Sequence, residues 1–172
     1  MSLTFIKKAT PFDAPKIYHL IVLAYAETTE KINPQGGFAA LKEGSNDILR
    51  DMERMTVLVC TKNGNIIGTV RYRIIESGDT RIAYISRLCV LPGEQRSGTG
   101  TKLLAEVEKQ CRAQKIDLLA LHSPAKDIKL VYFYYKNGYY IHCTTQGRGY
   151  ARGLFLKELT EKHCDLALLD AL

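Results

Sequence analysis

Nowhere in this 172-residue chain do apolar residues run far enough to cross a bilayer. The longest unbroken stretch, Leu20 to Ala26, falls well short of the roughly 20 residues a spanning helix needs. The N-terminus also lacks the basic-then-apolar layout of a secretion signal, so a cytoplasmic protein is expected. The five cysteines, Cys60, Cys89, Cys111, Cys143 and Cys164, are odd in number and widely spaced, with no Cys-x-x-Cys pair. That excludes a disulfide framework and a Cys-based metal site, and they read as reduced, mostly buried thiols. The net charge is +6, yet Lys and Arg never form a run of five, and no RNA-binding or zinc-finger signature appears. A basic balance suits an anionic ligand, and dispersed charge disfavours a nucleic-acid-binding domain. Ten tyrosines offer no stacking surface by themselves, since the six between Tyr132 and Tyr150 fall where strand and helix preferences explain them. With no internal repeat or low-complexity segment, residues 1–172 read as one domain with a sizeable core.

Local patterns give an order of elements. Leu3 to Lys8 is a short strand. A helix starts at Thr10-Pro11, with Thr10 as cap, carries Ile17, Leu20, Ile21 and Ala24 on one face, and runs to about Thr28. A Pro-Gly-Gly break over Pro34 to Gly37 precedes a second helix from Ser45 to Met55, capped by Ser45 or Asn46, with Asp47 favourable in its first turn. Strands Thr56 to Thr61 and Ile66 to Ile75 flank Asn63-Gly64-Asn65, a hairpin signal because both turn residues must accept positive φ. Ser77-Gly78-Asp79 turns the chain into a strand from Ile82 to Leu91. A glycine-containing loop and an amphipathic helix follow, the helix bearing Leu103, Leu104, Val107 and Cys111 on one side. Then come a strand from Asp117 to His122, a helix from Asp127 to Lys136, and strands Tyr139 to Thr144 and Gly153 to Lys157. Glu158 to Leu172 reads as a helical or frayed tail.

Strand, glycine loop, helix is an arrangement that aims unpaired N–H groups at one point, which suits a pyrophosphate. A Walker loop begun at Gly93 would need lysine where Thr99 stands, and a dinucleotide fingerprint begun at Gly98 would need glycine where Leu103 stands. Both fail. Gln95-Arg96-Ser97-Gly98-Thr99-Gly100 instead fits Gln/Arg-x-x-Gly-x-Gly/Ala, after a strand ending Leu88-Cys89-Val90-Leu91-Pro92. This resembles the acyl-CoA-binding signature of the GNAT superfamily of N-acetyltransferases. Downstream, Phe133-Tyr134-Tyr135-Lys136-Asn137-Gly138-Tyr139 resembles that family's Phe-Tyr-Glu-Lys-Leu-Gly-Phe segment. The element order βααβββαβαββ is also that of the GNAT fold, an α/β (α+β mixed-sheet) architecture with splayed central strands.

The resemblance implies the following roles. Acetyl-CoA is the co-substrate, with no metal. The backbone of Leu88, Cys89 and Val90 pairs with the pantetheine arm, as in strand addition. The N–H groups of Gln95, Arg96, Ser97, Gly98, Thr99, Gly100 and Thr101 hold the pyrophosphate, with the Arg96 side chain free to add charge. Tyr134 matches the family tyrosine whose hydroxyl faces the CoA sulfur and protonates the leaving thiolate. Asp127 stands where many relatives carry a cofactor-touching asparagine, and an N-cap suits a carboxylate better there. The acceptor amine must lose a proton, and many relatives use a glutamate on the splayed strand. Here the matching positions are Tyr84 and Ser86, beside Arg87. A water relay past the Tyr84 and Ser86 hydroxyls is expected, with His122 the nearby group that ordinarily titrates near neutrality. A covalent route through Cys89 is disfavoured, since direct transfer needs no nucleophile.

The partner implied is a small-molecule or peptide amine, with neither nucleic acid nor membrane, and a homodimeric state is left open. Glu27, Glu30, Glu43, Asp47, Asp51 and Glu53 make residues 27–54 mildly acidic, so either a cationic acceptor is drawn to that wall or these are exposed helix faces of mixed charge. An acyl-CoA-binding module without turnover is the alternative to an enzyme.

Overall fold

The computed structural model describes residues 3–32, 37–146, 148–170 and 172, the side chain of Glu27 excepted. Its strands are β1 (Thr4–Lys8), β2 (Thr56–Lys62), β3 (Asn65–Ser77), β4 (Thr80–Val90), β5 (Leu118–Pro124), β6 (Tyr140–Thr145) and β7 (Arg152–Glu158). The helices are α1 (Ala14–Ile32), α2 (Ser45–Arg54), α3 (Thr99–Ala113) and α4 (Ile128–Lys136). This is the expected βααβββαβαββ order in a mixed α/β fold, with one seven-stranded sheet ordered β1-β2-β3-β4-β5-β7-β6.

Strands β1 to β4 form an antiparallel meander, pinned at β2–β3 by Asn63 and Gly64, both at positive φ (51° and 81°) as the Asn-Gly turn requires. The parallel pairing is β4 with β5, and it is short, joining only Ile82–Ile85 to Leu118–Leu121. Beyond it β4 follows β3 up to Val90, while β5 follows β7 up to Pro124. The two central strands therefore diverge, leaving the β5-facing edge of β4 without a strand partner among the described residues from Ser86 onward, the Val90 carbonyl accepting only from the Gln95 side chain at 3.4 Å.

A bulge accompanies the divergence. Thr69 pairs with Cys89 and Arg71 with Ser86, so two β4 residues, Arg87 and Leu88, oppose Val70 alone. Arg87 sits at φ 53°, an unusual conformation for a long side chain. The extra residue changes which side chains share a face: Cys89 joins the cluster under α1 and α2, and Leu88 packs toward α3 and α4.

Three apolar clusters hold the layers together. One lies between the sheet and α3 and α4, built around Val70, Tyr72, Ile85, Leu103, Val107, Leu121 and Phe155. A second joins Ile17, Leu20, Ile21 and Ile48 to Val57 and Val59. The third packs Ile82, Ala120 and Leu156 under Cys164 and Leu169. That third cluster corrects the reading of the tail. Strand β7 ends at Glu158, and the 3-10 turn Leu166–Leu169 then seals the sheet face opposite α3.

Other boundaries also differ. Helix α1 extends to Ile32, beyond the expected end at Thr28. Thr10 is the N-cap, as expected, of a 3-10 turn (Pro11–Asp13) that leads into α1, whereas Gly44 and not Ser45 or Asn46 caps α2; at both, an acid inside the first turn reaches back. Asp13 accepts from the Thr10 N–H and hydroxyl, both at 2.9 Å, and Asp47 accepts from the N–H of Gly44, the true N-cap, at 2.8 Å. Asp127 does cap α4, accepting from the N–H groups of Lys129 and Leu130 at 3.0 and 3.2 Å. The break expected at Pro34 to Gly37 lies, except for Gly37, outside the described residues.

Candidate acetyl-transfer site

The loop between β4 and α3 is shaped by two positive-φ residues, Arg96 (63°) and Gly98 (81°). Such alternation turns consecutive N–H groups toward one side. Gly98 is the N-cap of α3 and no side chain caps the helix. The first intrahelical bond runs from the Lys102 N–H to the Gly98 carbonyl at 3.0 Å, so the amides of Thr99, Gly100 and Thr101 precede it. The Ser97 hydroxyl holds the loop from within, donating to the Glu94 carbonyl at 2.6 Å and lying 2.9 Å from the Thr99 hydroxyl. Glu94 is anchored in turn to Lys62 of β2 at 2.8 Å. A side-chain-free N-cap and an open nest of amides fit a pyrophosphate, and the unpaired edge of β4 at Leu88, Cys89 and Val90 fits an amide-bearing arm.

Gly100 has a second role. A Cβ there would meet the Phe133 ring at 3.1 Å, so the glycine lets α4 approach the loop. Gly68 on β3 does the same for α3, where a Cβ would meet Thr99 and Leu103 at 3.0 and 3.1 Å. These contacts position Tyr134, the residue after Phe133, close to the divergence of β4 and β5.

Tyr134 is buried, its ring held by Phe133, Tyr139 and Phe155 at centroid distances of 5.2, 5.9 and 5.0 Å. Ser123, on the splayed end of β5, is the polar side chain that acts on its hydroxyl. Burial pushes the Tyr134 pKa up to about 12, with Ser123 pulling the other way. Tyr25 of α1 and Cys89 are its electrostatic neighbours across the gap. Burial also raises the Cys89 thiol to about 12, so it is no thiolate at neutral pH.

The remaining sequence-derived candidates lie on the other face. His122 shares its face of β5 with Leu118 and Ala120, whereas the next residue, Ser123, faces Tyr134. The His122 Nδ1 lies 3.0 Å from the Tyr84 hydroxyl. Its pKa is pushed down to about 4 by burial and by the positive charges of Arg152 and Arg148. It is thus neutral at physiological pH but a far weaker base than its ordinary value suggested. Burial raises the Tyr84 pKa, so that hydroxyl stays protonated. Ser86 is half-buried beside the pair. Tyr84, Ser86 and His122 therefore line one side of the splay and Tyr134 the other.

A set of charges reaches the divergence without having been legible in sequence. Glu43, from the segment before α2, accepts from Arg87 Nε at 2.8 Å and from Arg71 at 2.5 Å, and Asp51 completes the group on Arg71. Arg71 is only 3% exposed at its side chain. Its signal was a cation between two apolar strand residues, Val70 and Tyr72. Glu43 gave no signal. With Glu43 and Asp51 bonded to Arg71 and Arg87, and Asp47 to Arg50, most of the supposed acidic wall is internally neutralised. Glu30 and Glu53 are exposed, and the Glu27 side chain lies outside the described residues. An aromatic group, Tyr25, Phe38 and Tyr150, closes this side, the last two edge-to-face at 5.1 Å.

Among the described residues no group of three His, Cys, Asp or Glu side chains is placed to hold a metal, and no helix is long and apolar enough to cross a membrane.

Known structures share this fold. The chain resembles the PaiA N-acetyltransferase of Thermoplasma acidophilum in complex with coenzyme A, at 21% identity and a TM-score of 0.74 over 91% of this chain and 99% of that one. It resembles the putative acetyltransferase YncA of Salmonella typhimurium, solved with acetyl-CoA, at 17% identity and a TM-score of 0.72, covering 94% and 96%. It also resembles a ribosomal-protein-alanine N-acetyltransferase of Brucella melitensis, at 20% identity and a TM-score of 0.72, covering 90% and 99%. No curated protein matches it in sequence. At these identities the likeness shows the fold. The family model described as the acetyltransferase (GNAT) family matches residues 18–139, most of the chain and both motif segments up to Tyr139. This chain belongs to the GNAT acetyltransferase family.

Proposed function

We propose that the protein is an acetyl-CoA-dependent N-acetyltransferase that moves the acetyl group directly to a primary amine within a ternary complex. The observation that carries this reading is the meeting, at one strand divergence, of an uncapped amide nest, an unpaired strand edge and a buried tyrosine hydroxyl. The amides of Gln95 to Thr101 would hold the pyrophosphate and the edge of Leu88 to Val90 the pantetheine arm. Bound there, the co-substrate supplies an activated thioester.

As the C–N bond forms and the C–S bond breaks, Tyr134 donates to the departing sulfur. Full proton transfer from a phenol near pKa 12 to an ordinary thiolate near 8.5 is uphill by about 5 kcal/mol. Tyr134 therefore acts chiefly through a strong hydrogen bond as charge grows on sulfur. The amine proton leaves on the opposite face, past the Tyr84 and Ser86 hydroxyls through water. A lysine-like amine at pKa about 10.4 must first be neutralised, a handicap of roughly 4 to 5 kcal/mol at pH 7, and neutral His122 removes little of it.

The reading is tested by thiol release from acetyl-CoA across an amine panel. Turnover rising steeply with pH toward the amine's own pKa, with no plateau near 6.5, is the expected outcome. Binding of acetyl-CoA without thiol release would favour the non-catalytic acyl-CoA-binding module, a reading supported by the missing carboxylate at Tyr84 and Ser86.

A further inference from the structure

Among the described residues four that are not glycine stand at positive φ, Asn63, Arg87, Arg96 and Lys115, and of these Arg87 alone lies inside a strand. A bulge residue in this conformation is ordinarily glycine, because a Cβ is crowded there. For a residue with a side chain the left-handed region carries a penalty of about 5- to 30-fold in population. The bulge therefore needs support from elsewhere in the fold, and Glu43 is placed to give it.

The Glu43 carboxylate bridges the two strands that form the bulge. Its Oε1 accepts from Arg87 Nε at 2.8 Å and from Arg87 Nη2, and its Oε2 accepts from Arg71 Nη2 at 2.5 Å. Arg71 on β3 pairs with Ser86, the β4 residue just before Arg87, so the two guanidiniums stand at the same end of the bulge. Both anchors are fixed. Arg71 is buried and is also held by Asp51 of α2, while Glu43 directly precedes Gly44, the N-cap that Asp47 ties down. Charge-assisted bonds of this kind are strong and directional, and three guanidinium N–H groups on two oxygens suit a clamp better than a proton acceptor. Leu88, Cys89 and Val90 follow immediately. Because side chains alternate along a strand, losing the extra residue of the bulge would exchange their faces and redirect the edge that opens into the divergence.

We propose that Glu43 is a positioning residue for acetyl transfer, bridging Arg71 and Arg87 so that Arg87 keeps its positive φ and the edge of Leu88 to Val90 keeps the direction that receives the pantetheine arm. This rests on the acetyl-transfer reading and adds to it a residue from outside both sequence motifs.

The test is calorimetry of acetyl-CoA binding to the full chain, beside steady-state thiol release. Glu43→Gln and Arg87→Ala should each weaken acetyl-CoA binding by about 5- to 30-fold, since only the bulged fraction of the chain is competent to bind. Asp51 continues to compensate Arg71 in Glu43→Gln, so the fold survives. At saturating acetyl-CoA, kcat should stay within about threefold of the wild type, because binding itself selects the bulged form. Arg87→Gly supplies the conformation without the clamp. Its affinity should lie nearer the wild type than that of Arg87→Ala, and adding Glu43→Gln to it should change affinity by less than about twofold. In the unliganded chain, NMR backbone couplings at residue 87 report φ, and they should leave the positive-φ range in Glu43→Gln. Unchanged affinity or unchanged couplings in that variant overturn the proposal while leaving acetyl transfer standing. A fall in kcat at unchanged affinity overturns it in favour of Glu43 as the acceptor of the amine proton. Should the wild type bind no acetyl-CoA, the acetyl-transfer reading itself fails and this role with it.

Discussion

Replacing Tyr134 by phenylalanine isolates one hydroxyl. The ring sits among Phe133, Tyr139 and Phe155, and phenylalanine keeps that packing. What is lost is the hydroxyl that faces Ser123, and with it the proposed donor to sulfur. A hydrogen bond to developing charge is worth roughly 1.5 to 3 kcal/mol, or about 10- to 150-fold in rate, and general-acid loss extends the range toward 1000-fold. Stopped thiol release under saturating acetyl-CoA and amine gives kcat, and calorimetry gives acetyl-CoA affinity. The expected pattern is kcat down within that range, with affinity changed less than about threefold. Unchanged kcat would refute the role given to Tyr134. A loss confined to acetyl-CoA affinity would make it a binding residue only.

Other outcomes follow from the same structure. His122 has a folded pKa near 4 against an ordinary 6.5, so between these values the unfolded chain binds more protons. Its stabilising contribution is complete above pH 6.5 and falls as pH drops toward 4, by less than the full shift implies because the ring is partly exposed to screening solvent; urea titrations of His122→Gln should show a visibly flatter pH dependence. Arg71→Ala leaves Glu43 and Asp51 without their buried partner and should cost about 3 to 5 kcal/mol, read as a lower denaturation midpoint. Gly68→Ala puts a Cβ 3.0 to 3.3 Å from Thr99, Leu103 and the Cys89 carbonyl, which should cost about 1 to 3 kcal/mol and weaken acetyl-CoA binding by shifting the start of α3. Gly98→Ala meets no neighbour within 4 Å, so its cost of about 1 kcal/mol comes from φ alone.

The element order was readable because its signals are local: the Asn63-Gly64 turn, the apolar spacing of α3 and the Asp127 cap. The glycine loop was readable because Gly98 must stand at φ 81° in any nest of that shape. What escaped depends on contacts between distant segments. The Arg87 bulge follows from strand divergence, and nothing in Ser86-Arg87-Leu88 announces a positive φ. Glu43 reaches Arg87 from 44 residues away, and a carboxylate missing from the splayed strand is thus present beside it through the fold. His122 was assigned its ordinary basicity because the guanidiniums of Arg148 and Arg152 approach it only once β7 lies against β5. The tail looked frayed because Cys164 and Leu169 find their apolar partners on Ile82 and Leu156, far off in sequence.

The most direct test of the central claim is a crystal structure of the chain with acetyl-CoA bound. Pyrophosphate oxygens within hydrogen-bonding distance of the amides of residues 96–101, with the sulfur about 3 to 3.5 Å from the Tyr134 hydroxyl, are what the account predicts. Pyrophosphate bound away from the start of α3, or a thioester that never enters the gap between β4 and β5, would contradict it.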